Sequence, residues 1–590
     1  MEKSKRSMAK TIWLSVRDTF RAMPFITTVT FVFQLISAGI SVALVSFTAR
    51  LIDAAGDIGA EKTEKLLLIC AVIVGCYLIN LILEKVSYKI NQIDAVPKFE
   101  IFHHRLSDFT VSLSLEAAEV PEISNMFWRA KDAVYQDRMG NVFHGVFGII
   151  PDAFRIIGTA IVLYKYHPVL VLMALFSIIP SFIIRLIYGQ KRYELYRSQT
   201  EKSRLGSYLW GVLTGKDTIK EMRVMGFSKY LTDKYFSVQR EVFEENKQFS
   251  LKSGFRTFLC DFFKIFSYAA SIAFCVYLLR SSLISIGVFS ACLGAFTSMQ
   301  GVSESLLSSF ASIKSQCNYA NDYYDFFEFG TDKKANEKCD GFKNSISAKN
   351  LTFRYPGANR NALDGVDFTA HKGEKIAIVG ENGSGKTTLT KLIMGLYAPT
   401  GGEVDMDEKN IRDFDGSYYE NFSLVAQKFG KYSLTFGENI AFGKFGQIKN
   451  KALIHSAAAS VGIDKLADDI GGLDTELGVE FGGKELSGGQ WQKVALARGV
   501  FRDADILILD EPTSALDPMI EYDILSDFIN MSKDKTAFVI SHRIGVCRMA
   551  DRIFVMKNGK IAETGNHREL LAAGGIYADM WHKQAQWYEK

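Results

Sequence analysis

The chain has 590 residues, of which 48% are hydrophobic and 13% aromatic, with only 10 prolines, and this composition excludes a disordered, collagenous or coiled-coil protein. Its 69 basic and 65 acidic residues give a formal net charge of +4, too balanced to indicate a nucleic-acid partner, and we expect none. The mean hydropathy of +0.06 fits either an apolar soluble protein or a membrane half joined to a soluble half.

The first segment, residues 1–23, is basic and carries apolar residues at helical spacing. Ile12, Trp13, Val16 and Phe20 share one face if this segment is a helix. The pattern predicts an amphipathic helix along the inner surface of a membrane, and the alternative is an unstructured basic tail.

Six hydrophobic runs have the length of about 20 residues that a membrane-spanning helix needs. All of them lie in the first half of the chain, at 24–52, 66–86, 142–164, 168–188, 254–279 and 283–312. The sequence therefore predicts an α-helical transmembrane domain of six spans over 24–316. The stretches 89–141 and 189–253 are too long for hairpins, so we expect spans two to five to continue as helices into the cytosol.

The distribution of basic residues predicts the orientation of these spans. Lys and Arg are frequent in the two long stretches, for example at Arg129, Lys131, Lys191 and Lys216, and scarce in the short connections. Because basic residues accumulate on the cytoplasmic side, we expect a multi-pass protein of the cell membrane with both termini and the second half in the cytoplasm.

Several ionisable residues lie inside the predicted spans, namely Asp152 with Arg155, Asp261 with Lys264, and Arg185. An intramembrane charge is a functional-site hypothesis by default. Opposite charges three residues apart on a helix also neutralise each other structurally, so the sequence leaves both interpretations open.

The sixth span carries a polar stripe at helical spacing. Its members are Thr297, Gln300, Glu304 and Ser308. The stripe predicts the wall of a water-filled cargo cavity, and its acidic member suits a cationic or amphipathic cargo. The alternative is that this part of the helix has already left the membrane.

The second half of the chain has a different character. Residues 317–345 are polar and predict a linker, and 346–590 alternates short apolar strands, glycine turns and helical stretches. This alternation is typical of an α/β domain with a mainly parallel sheet.

A phosphate-binding loop follows the apolar strand predicted at 375–379. Residues 380–387 read GENGSGKT, and a helical stretch comes next. Glycines allow backbone N–H groups to wrap around phosphate oxygens, while Lys386 neutralises the β- and γ-phosphates and the Thr387 hydroxyl coordinates Mg²⁺. The predicted ATP-binding residues here are Gly380, Glu381, Asn382, Gly383, Ser384, Gly385, Lys386, Thr387 and Thr388.

A second nucleotide-site element ends in two acids. The continuous apolar run 506–509 is typical of a central parallel strand buried on both faces. At its end, Asp510 is placed to bind Mg²⁺, and Glu511 is placed to act as general base towards the attacking water.

The sequence LSGGQ at 486–490 resembles the signature of ATP-binding cassette (ABC) proteins. The resemblance implies roles for further residues in this half. Tyr355 resembles the aromatic residue that stacks on adenine, and Gln427 the glutamine that links Mg²⁺ to the membrane part. Asp517 belongs to the sequence SALD at 514–517, which resembles a loop that couples the two ATP sites. His542 resembles the switch histidine at the γ-phosphate.

In that family two cassettes sandwich two ATP molecules, and each site pairs one chain's phosphate loop with the other chain's signature. The resemblance implies that Ser487, Gly488, Gly489 and Gln490 bind the partner's ATP. Because this chain has one cassette, a dimer is required. A homodimer is the simplest interpretation, and a heterodimer with a degenerate second chain remains an alternative.

Six spans followed by one cassette resemble a half-transporter of ABC exporters. In that fold the cassette is a P-loop domain with a helical subdomain. Glu480, just before the signature, is similar to an exporter-type loop. The stretches 121–128 and 214–222 occupy the places of the two coupling helices of that fold. The resemblance implies ATP-driven alternating access, with ATP and Mg²⁺ as cofactors.

The cargo follows only from local similarity. Residues 431–439 and 490–498 resemble the corresponding parts of lantibiotic (nisin-type) peptide exporters. We therefore expect export of a peptide or an amphipathic small molecule from the cytoplasm. The alternatives are a multidrug or lipid exporter, a siderophore-type importer on the exporter fold and, third, a regulatory ABC protein.

Overall fold

A computed structural model describes residues 6–55, 63–177, 179–328, 337–510, 532–541 and 544–585. The chain divides into two compact units. The membrane unit comprises Met1–Leu113 and Val120–Gly330, and the cassette unit comprises Ser114–Glu119 and Thr331–Lys590.

The membrane unit is entirely helical in its described residues. Its helices are α1 (Met8–Ala22), α2 (Pro24–Ala55), α3 (Thr63–Val111), α5 (Pro121–Tyr135), α6 (Arg138–Tyr166), α7 (Pro168–Phe176), α8 (Ile179–Thr214), α9 (Lys216–Met225), α10 (Ser228–Arg280) and α11 (Ile286–Phe326). The short helix α4 (Leu115–Glu119) is part of the cassette unit.

The prediction of six spans is confirmed: six helical segments in the described residues are long and apolar enough to cross a membrane. Helices α3 and α10 have 49 and 53 residues. At 1.5 Å per residue they are about 75–80 Å long, far more than the roughly 30 Å of hydrocarbon, so they extend well beyond a bilayer.

The last membrane helix is longer than the sequence predicted. The polar stretch from residue 317 was expected to be a linker, but α11 continues to Phe326. Cys317, Tyr323 and Phe326 are buried along this extension. Their burial against neighbouring helices stabilises the helix despite the polar residues between them.

The N-terminal segment forms helix α1, and its faces are reversed relative to those of a helix on a soluble protein. Thr11, Ser15 and Thr19 are fully buried, whereas Trp13 is 58% exposed. Small polar residues permit close approach to the neighbouring helices, while Trp13 and Phe20 are exposed and Ile12 and Val16 are half-buried. This arrangement suits a helix whose outer face meets lipid.

The cassette contains two sheets. Its strands are β1 (Ser345–Phe353), β2 (Leu363–His371), β3 (Lys375–Gly380), β4 (Gly401–Met406), β5 (Lys409–Asn410), β6 (Phe422–Val425), β7 (Ile506–Asp510), β8 (Thr536–Ile540), β9 (Arg552–Lys557) and β10 (Lys560–Gly565). The six-stranded sheet has the order β10-β9-β3-β8-β7-β6 and is parallel except for β10. The four-stranded sheet has the order β2-β1-β4-β5 and is antiparallel.

The cassette helices complete the α/β fold. They are α12 (Lys386–Ile393), α13 (Phe436–Ala441), α14 (Lys451–Ser460), α15 (Asp464–Ile470), α16 (Gly488–Arg502), α17 (His567–Ala572) and α18 (Ile576–Ala585). Helices α13 to α16 form a helical subdomain with its own buried cluster, which includes Phe436, Val494 and Leu496. The strands β3 and β7 enter a separate core with α12.

Candidate nucleotide site and its family

The phosphate loop connects the central strand β3 to α12. Gly380 and Gly385 have φ angles of +150° and +108°. A Cβ on Gly385 would lie 2.7 Å from Leu363 Cδ2 and 2.8 Å from the Ala362 oxygen. Only glycine fits this path, because the loop needs both the unusual backbone angle and the missing side chain.

Lys386 folds back over this loop. Its Nζ donates hydrogen bonds to the carbonyl oxygens of Gly380 at 2.9 Å and Glu381 at 3.1 Å. The side chain is buried, so its charge is held in place at the start of α12. In the described part of the chain the buried Ser384 hydroxyl has no hydrogen-bond partner. Loop, lysine and free hydroxyl together suit a phosphate ligand.

Two predicted Mg²⁺ ligands meet at this edge of the sheet. The Thr387 hydroxyl donates a hydrogen bond to Asp510 Oδ1 at 3.3 Å. Asp510 ends the fully buried strand β7, which is separated from β3 only by β8. Gln427, the third predicted ligand, is exposed two residues after β6, the strand next to β7. Ligands of parallel sheets bind beyond such carboxyl ends.

Tyr355 lies beside the phosphate-loop helix. Its hydroxyl shares a hydrogen bond with Thr388 Oγ1 at 3.1 Å. Its ring centroid lies 4.9 Å from that of Phe353 and 5.6 Å from that of Tyr397. The predicted adenine-binding ring therefore contacts two aromatic rings, and its hydroxyl is hydrogen-bonded to α12.

The signature residues begin the longest helix of the helical subdomain. Ser487 is the N-cap of α16: its side chain accepts a hydrogen bond from the Gln490 N–H, and the Gln490 side chain accepts one from the Ser487 N–H. Ser487 and Gly488 are exposed, and Gly489 is half-buried. The first amides of α16 are thus presented at the surface, as an anion-binding helix end requires.

Three predicted residues lie outside the described part of the chain. They are Glu511, Asp517 and His542. Asp510 immediately precedes Glu511, and β8 ends two residues before His542. The roles of these residues stay predictions.

The comparisons with known proteins agree with this geometry. The sequence profile described as ABC transporter matches residues 363–514. The subtilin transport ATP-binding protein SpaT of Bacillus subtilis is 31% identical over 475 residues, covering 80% of this chain and 77% of that protein. The chain belongs to the ABC transporter family.

Two further relatives differ in coverage. The nisin transport protein NisT of Lactococcus lactis is 28% identical over 81% of both chains. A lipid A-core flippase of Shewanella frigidimarina is 38% identical, but only over 42% of this chain and 41% of its own.

A solved bacterial Atm1-family ABC exporter with ATP bound has a TM-score of 0.83 at 21% identity, covering 95% of this chain and 98% of that one. Its likeness establishes the fold. This chain is an exporter-type half-transporter, a multi-pass membrane protein whose cassette binds ATP and couples its hydrolysis to transport.

The cassette unit includes one short segment from the first half of the chain that the sequence did not predict. The stretches predicted as coupling helices, 121–128 and 214–222, lie mostly within α5 and α9 of the membrane unit. The segment Ser114–Glu119, just before the first of these stretches, belongs to the cassette unit. The acids Glu116 and Glu119, three residues apart after a Ser114 cap, were the available signal.

The predicted cargo stripe is tied to neighbouring spans. Glu304 Oε1 lies 2.7 Å from Arg185 Nη2 and its Oε2 lies 2.7 Å from Lys264 Nζ. Lys264 is also 3.1 Å from Asp261. Two bases and two acids therefore balance, and the stripe is polar without being negatively charged overall.

The remaining stripe residues also have defined contacts. Gln300 donates a hydrogen bond to Ser177 Oγ at 2.9 Å, and Ser308 accepts one from Arg185 at 3.2 Å. Thr297 bonds to the Leu293 carbonyl of its own helix and is exposed.

The charged pair of the third span links helices. Asp152 accepts a hydrogen bond from Ser305 at 2.8 Å, and Arg155 donates one to Ser37 at 3.1 Å. The two charges are themselves 4.0 Å apart. These contacts give Asp152 and Arg155 a packing role between α2, α6 and α11.

Proposed function

We propose that two copies of this chain form an exporter that moves an amphipathic peptide out of the cytoplasm, driven by Mg-ATP. The observation that carries the peptide cargo is the similarity to the subtilin transporter over 80% of the chain. An alignment of that length must extend well into the membrane half, where cargo is selected. The flippase similarity covers 42% of the chain, a length close to that of the cassette.

The phosphate loop holds ATP in this proposal. Lys386 turns from the Gly380 and Glu381 carbonyls to the β- and γ-phosphates, and the loop amides and Ser384 hydroxyl donate to phosphate oxygens. Tyr355 stacks on adenine. Lys386 exchanges its two internal hydrogen bonds for bonds to the phosphates, and the buried Ser384 hydroxyl gains a partner.

Two oxygen atoms, one from the first turn of α12 and one from the end of β7, fit Mg²⁺. Thr387 Oγ1 and Asp510 Oδ1 lie 3.3 Å apart, and hard oxygen donors of this kind are the ligands that Mg²⁺ prefers. Gln427 is the third proposed ligand. Bound there, the ion would neutralise phosphate charge.

The remaining roles in hydrolysis fall to residues that follow β7 and β8 in the sequence and to residues of the partner. Glu511 accepts the proton of the attacking water, His542 contacts the γ-phosphate, and Asp517 couples the two sites. Ser487 and the amides of Gly488 and Gly489 bind the ATP held by the other copy. Neither chain hydrolyses ATP alone in this arrangement.

Nucleotide binding then drives alternating access. ATP binds the closed cassette dimer more tightly than the open one, so binding shifts the spans outward and hydrolysis resets them. Shifting a two-state equilibrium from 1:99 to 99:1 needs about 5.5 kcal/mol of differential affinity. The two nucleotides bound between the cassettes together supply this differential affinity.

The cargo path follows the polar stripe of α11. Because Glu304 is paired with Arg185 and Lys264, a purely cationic cargo has to displace two fixed bases. An amphipathic cargo with both donors and acceptors matches the mixed charges better. The geometry thus favours a peptide over a simple organic cation.

Vesicles with outward-facing cassettes test this function. On addition of Mg-ATP they should accumulate a subtilin-type peptide, and Glu511→Gln should abolish the accumulation because the general base is lost. A fluorescent lipid A analogue is assayed in parallel. Accumulation of the lipid alone would establish the lipid exporter, and efflux of preloaded peptide would establish the importer.

A further inference from the structure

Helices α8 and α10 carry basic residues around a pair of aromatic rings. Each base lies three, four or seven positions from the ring of its own helix, so ring and bases share one face. The predicted fourth span ends at 188 and the fifth begins at 254, so the residues lie where both helices leave the apolar segment. We call them the α8–α10 patch: Tyr188, Lys191, Arg192, Phe249, Lys252 and Arg256.

The two rings of the patch join the helices. The Tyr188 and Phe249 centroids are 5.6 Å apart at an interplanar angle of 67°. The Arg256 guanidinium carbon lies 5.7 Å from the Tyr188 centroid, as does Lys191 Nζ. The Arg192 guanidinium carbon lies 5.5 Å from the Phe249 centroid. Each arginine therefore lies against the ring of the other helix, and the aromatic pair holds three cations together.

The positive charge of the patch is not balanced by acids in the described part of the chain. Its four cations are exposed, and none of them forms an ion pair or a hydrogen bond with a side chain there. The nearest acids of α10 on either side, Glu245 and Asp261, are paired with Lys202 and Lys264, and Glu194 of α8 accepts a hydrogen bond from its own helix. Like charges held together without an anion repel one another, so the patch fits an anionic ligand.

The surface beside the patch indicates which kind of anion fits. From Lys252 towards the middle of the fifth span, α10 exposes Phe255, Leu259, Phe262 and Phe266. They follow Lys252 at alternating intervals of three and four residues, which places them in one stripe along the helix. Bases at the end of an apolar stripe on a membrane span match a phosphate headgroup and its acyl chains, whereas a soluble anion would use the bases alone.

We propose that the α8–α10 patch binds the phosphate of an anionic phospholipid headgroup, with the acyl chains along the apolar stripe of α10. In the proposed orientation the lipid belongs to the cytoplasmic leaflet, whose negative surface attracts bases next to a span. Arg192 and Arg256 supply planar N–H donors for the phosphate oxygens, and the ring contacts hold these donors in place before the lipid binds. The site uses no residue of the α11 stripe and does not depend on which cargo is exported.

Lipid binding is measured on the full chain purified in a neutral detergent, by native mass spectrometry. Phosphatidylglycerol is the anionic probe. Phosphatidylcholine with the same acyl chains is the zwitterionic comparison, and glycerol 1-phosphate is the soluble anion. The same spectra give the apparent Kd of each compound and the fraction of dimer.

The variants separate the charge of the patch from the charge of the whole chain. The glutamine variant, Arg192→Gln with Arg256→Gln, removes two cations and keeps both rings. The lysine variant, Arg192→Lys with Arg256→Lys, keeps the charge and removes the planar fork. The matched control, Lys234→Gln with Arg240→Gln, removes two exposed charges from α10 at about 33 Å and 24 Å along the helix from Arg256.

We expect the Kd of the glutamine variant for phosphatidylglycerol to rise about 30-fold, because each base near an anionic lipid contributes a factor of about five. The lysine variant should lose about threefold, since its charge remains. The control should stay within about twofold of wild type. Wild type should bind phosphatidylcholine and glycerol 1-phosphate about tenfold more weakly than phosphatidylglycerol, or weaker still.

Four outcomes overturn the inference. Unchanged affinity in the glutamine variant removes the site, and an equal loss in the control shows that only overall charge matters. Glycerol 1-phosphate binding as tight as that of the lipid identifies a soluble-anion site. Loss of dimer in the glutamine variant with unchanged lipid affinity identifies an interface between two copies. Thermal unfolding without added lipid checks the fold, and if the double variant is unstable, Arg192→Gln and Arg256→Gln alone carry the test, each with an expected loss of about fivefold.

Discussion

Two positions in the phosphate loop show how single residues determine this nucleotide site. Gly385 needs a φ of +108° and has a leucine and a carbonyl oxygen at the place of a Cβ, whereas Gly383, at +77°, has open space there. The requirement for glycine is therefore steric and conformational at Gly385 and conformational alone at Gly383. Such positions are recognisable from the sequence because the conformation of the loop depends on residues that are neighbours in the chain.

Gly385→Ala should lower the free energy of unfolding of the cassette by about 2 kcal/mol or more, because strain and overlap add. Gly383→Ala is the matched control and should cost about 1 kcal/mol from strain alone. Thermal unfolding of the nucleotide-free protein measures both. Equal losses in the two variants would contradict the steric argument.

Among the elements, α16 combines a structural and a proposed functional role in one residue. Ser487 caps the helix through a reciprocal bond pair with Gln490, and the same exposed helix end is proposed to bind the partner's ATP. In the membrane helices, residues that were predicted to be functional turn out to have structural contacts. There Glu304, Arg185 and Lys264 satisfy one another across spans, so charges that look functional in the sequence also hold α8, α10 and α11 together.

Ser487→Asp separates the two roles of the helix end. Aspartate is an equally good N-cap, so the free energy of unfolding should stay within about 0.5 kcal/mol of wild type, whereas Ser487→Ala should lose about 1 kcal/mol. The added carboxylate repels the γ-phosphate, so ATPase activity should fall about 100-fold or more. Wild-type ATPase activity in Ser487→Asp would refute the anion site.

For the whole molecule, the decisive feature is that the phosphate loop and the signature are on different parts of one cassette. The loop joins β3 to α12 in the sheet core, and the signature begins α16 in the helical subdomain. The proposed dimer makes each site from two chains. In this proposal the dimer has complete ATP sites, and a single chain has none.

Mixing two inactive chains tests whether each ATP site is made from two chains. Lys386→Ala and Ser487→Asp should each be inactive, but a random mixture contains heterodimers with one intact site, which should restore about one quarter of wild-type ATPase activity. The mixture is reconstituted together and compared with each variant alone. Activity no higher than that of either variant would mean that a single chain completes its own site.

The sequence by itself determined the features that depend on local pattern. Apolar length specified six spans, and short motifs specified the phosphate loop, the strand ending at Asp510 and the capped signature helix, since these need only neighbouring residues. The extension of α11 to Phe326 was not predictable, because burial by other helices stabilises it.

Only the tertiary structure brought distant residues together. Tyr397 and Glu119 are 278 positions apart, and Arg185 and Glu304 are 119 apart. No periodicity encodes such pairs, because their contacts depend on how helices and sheets pack. The sequence therefore did not indicate which residues the acids of α4 contact, and the stripe of α11 looked acidic until two bases from neighbouring helices neutralised it.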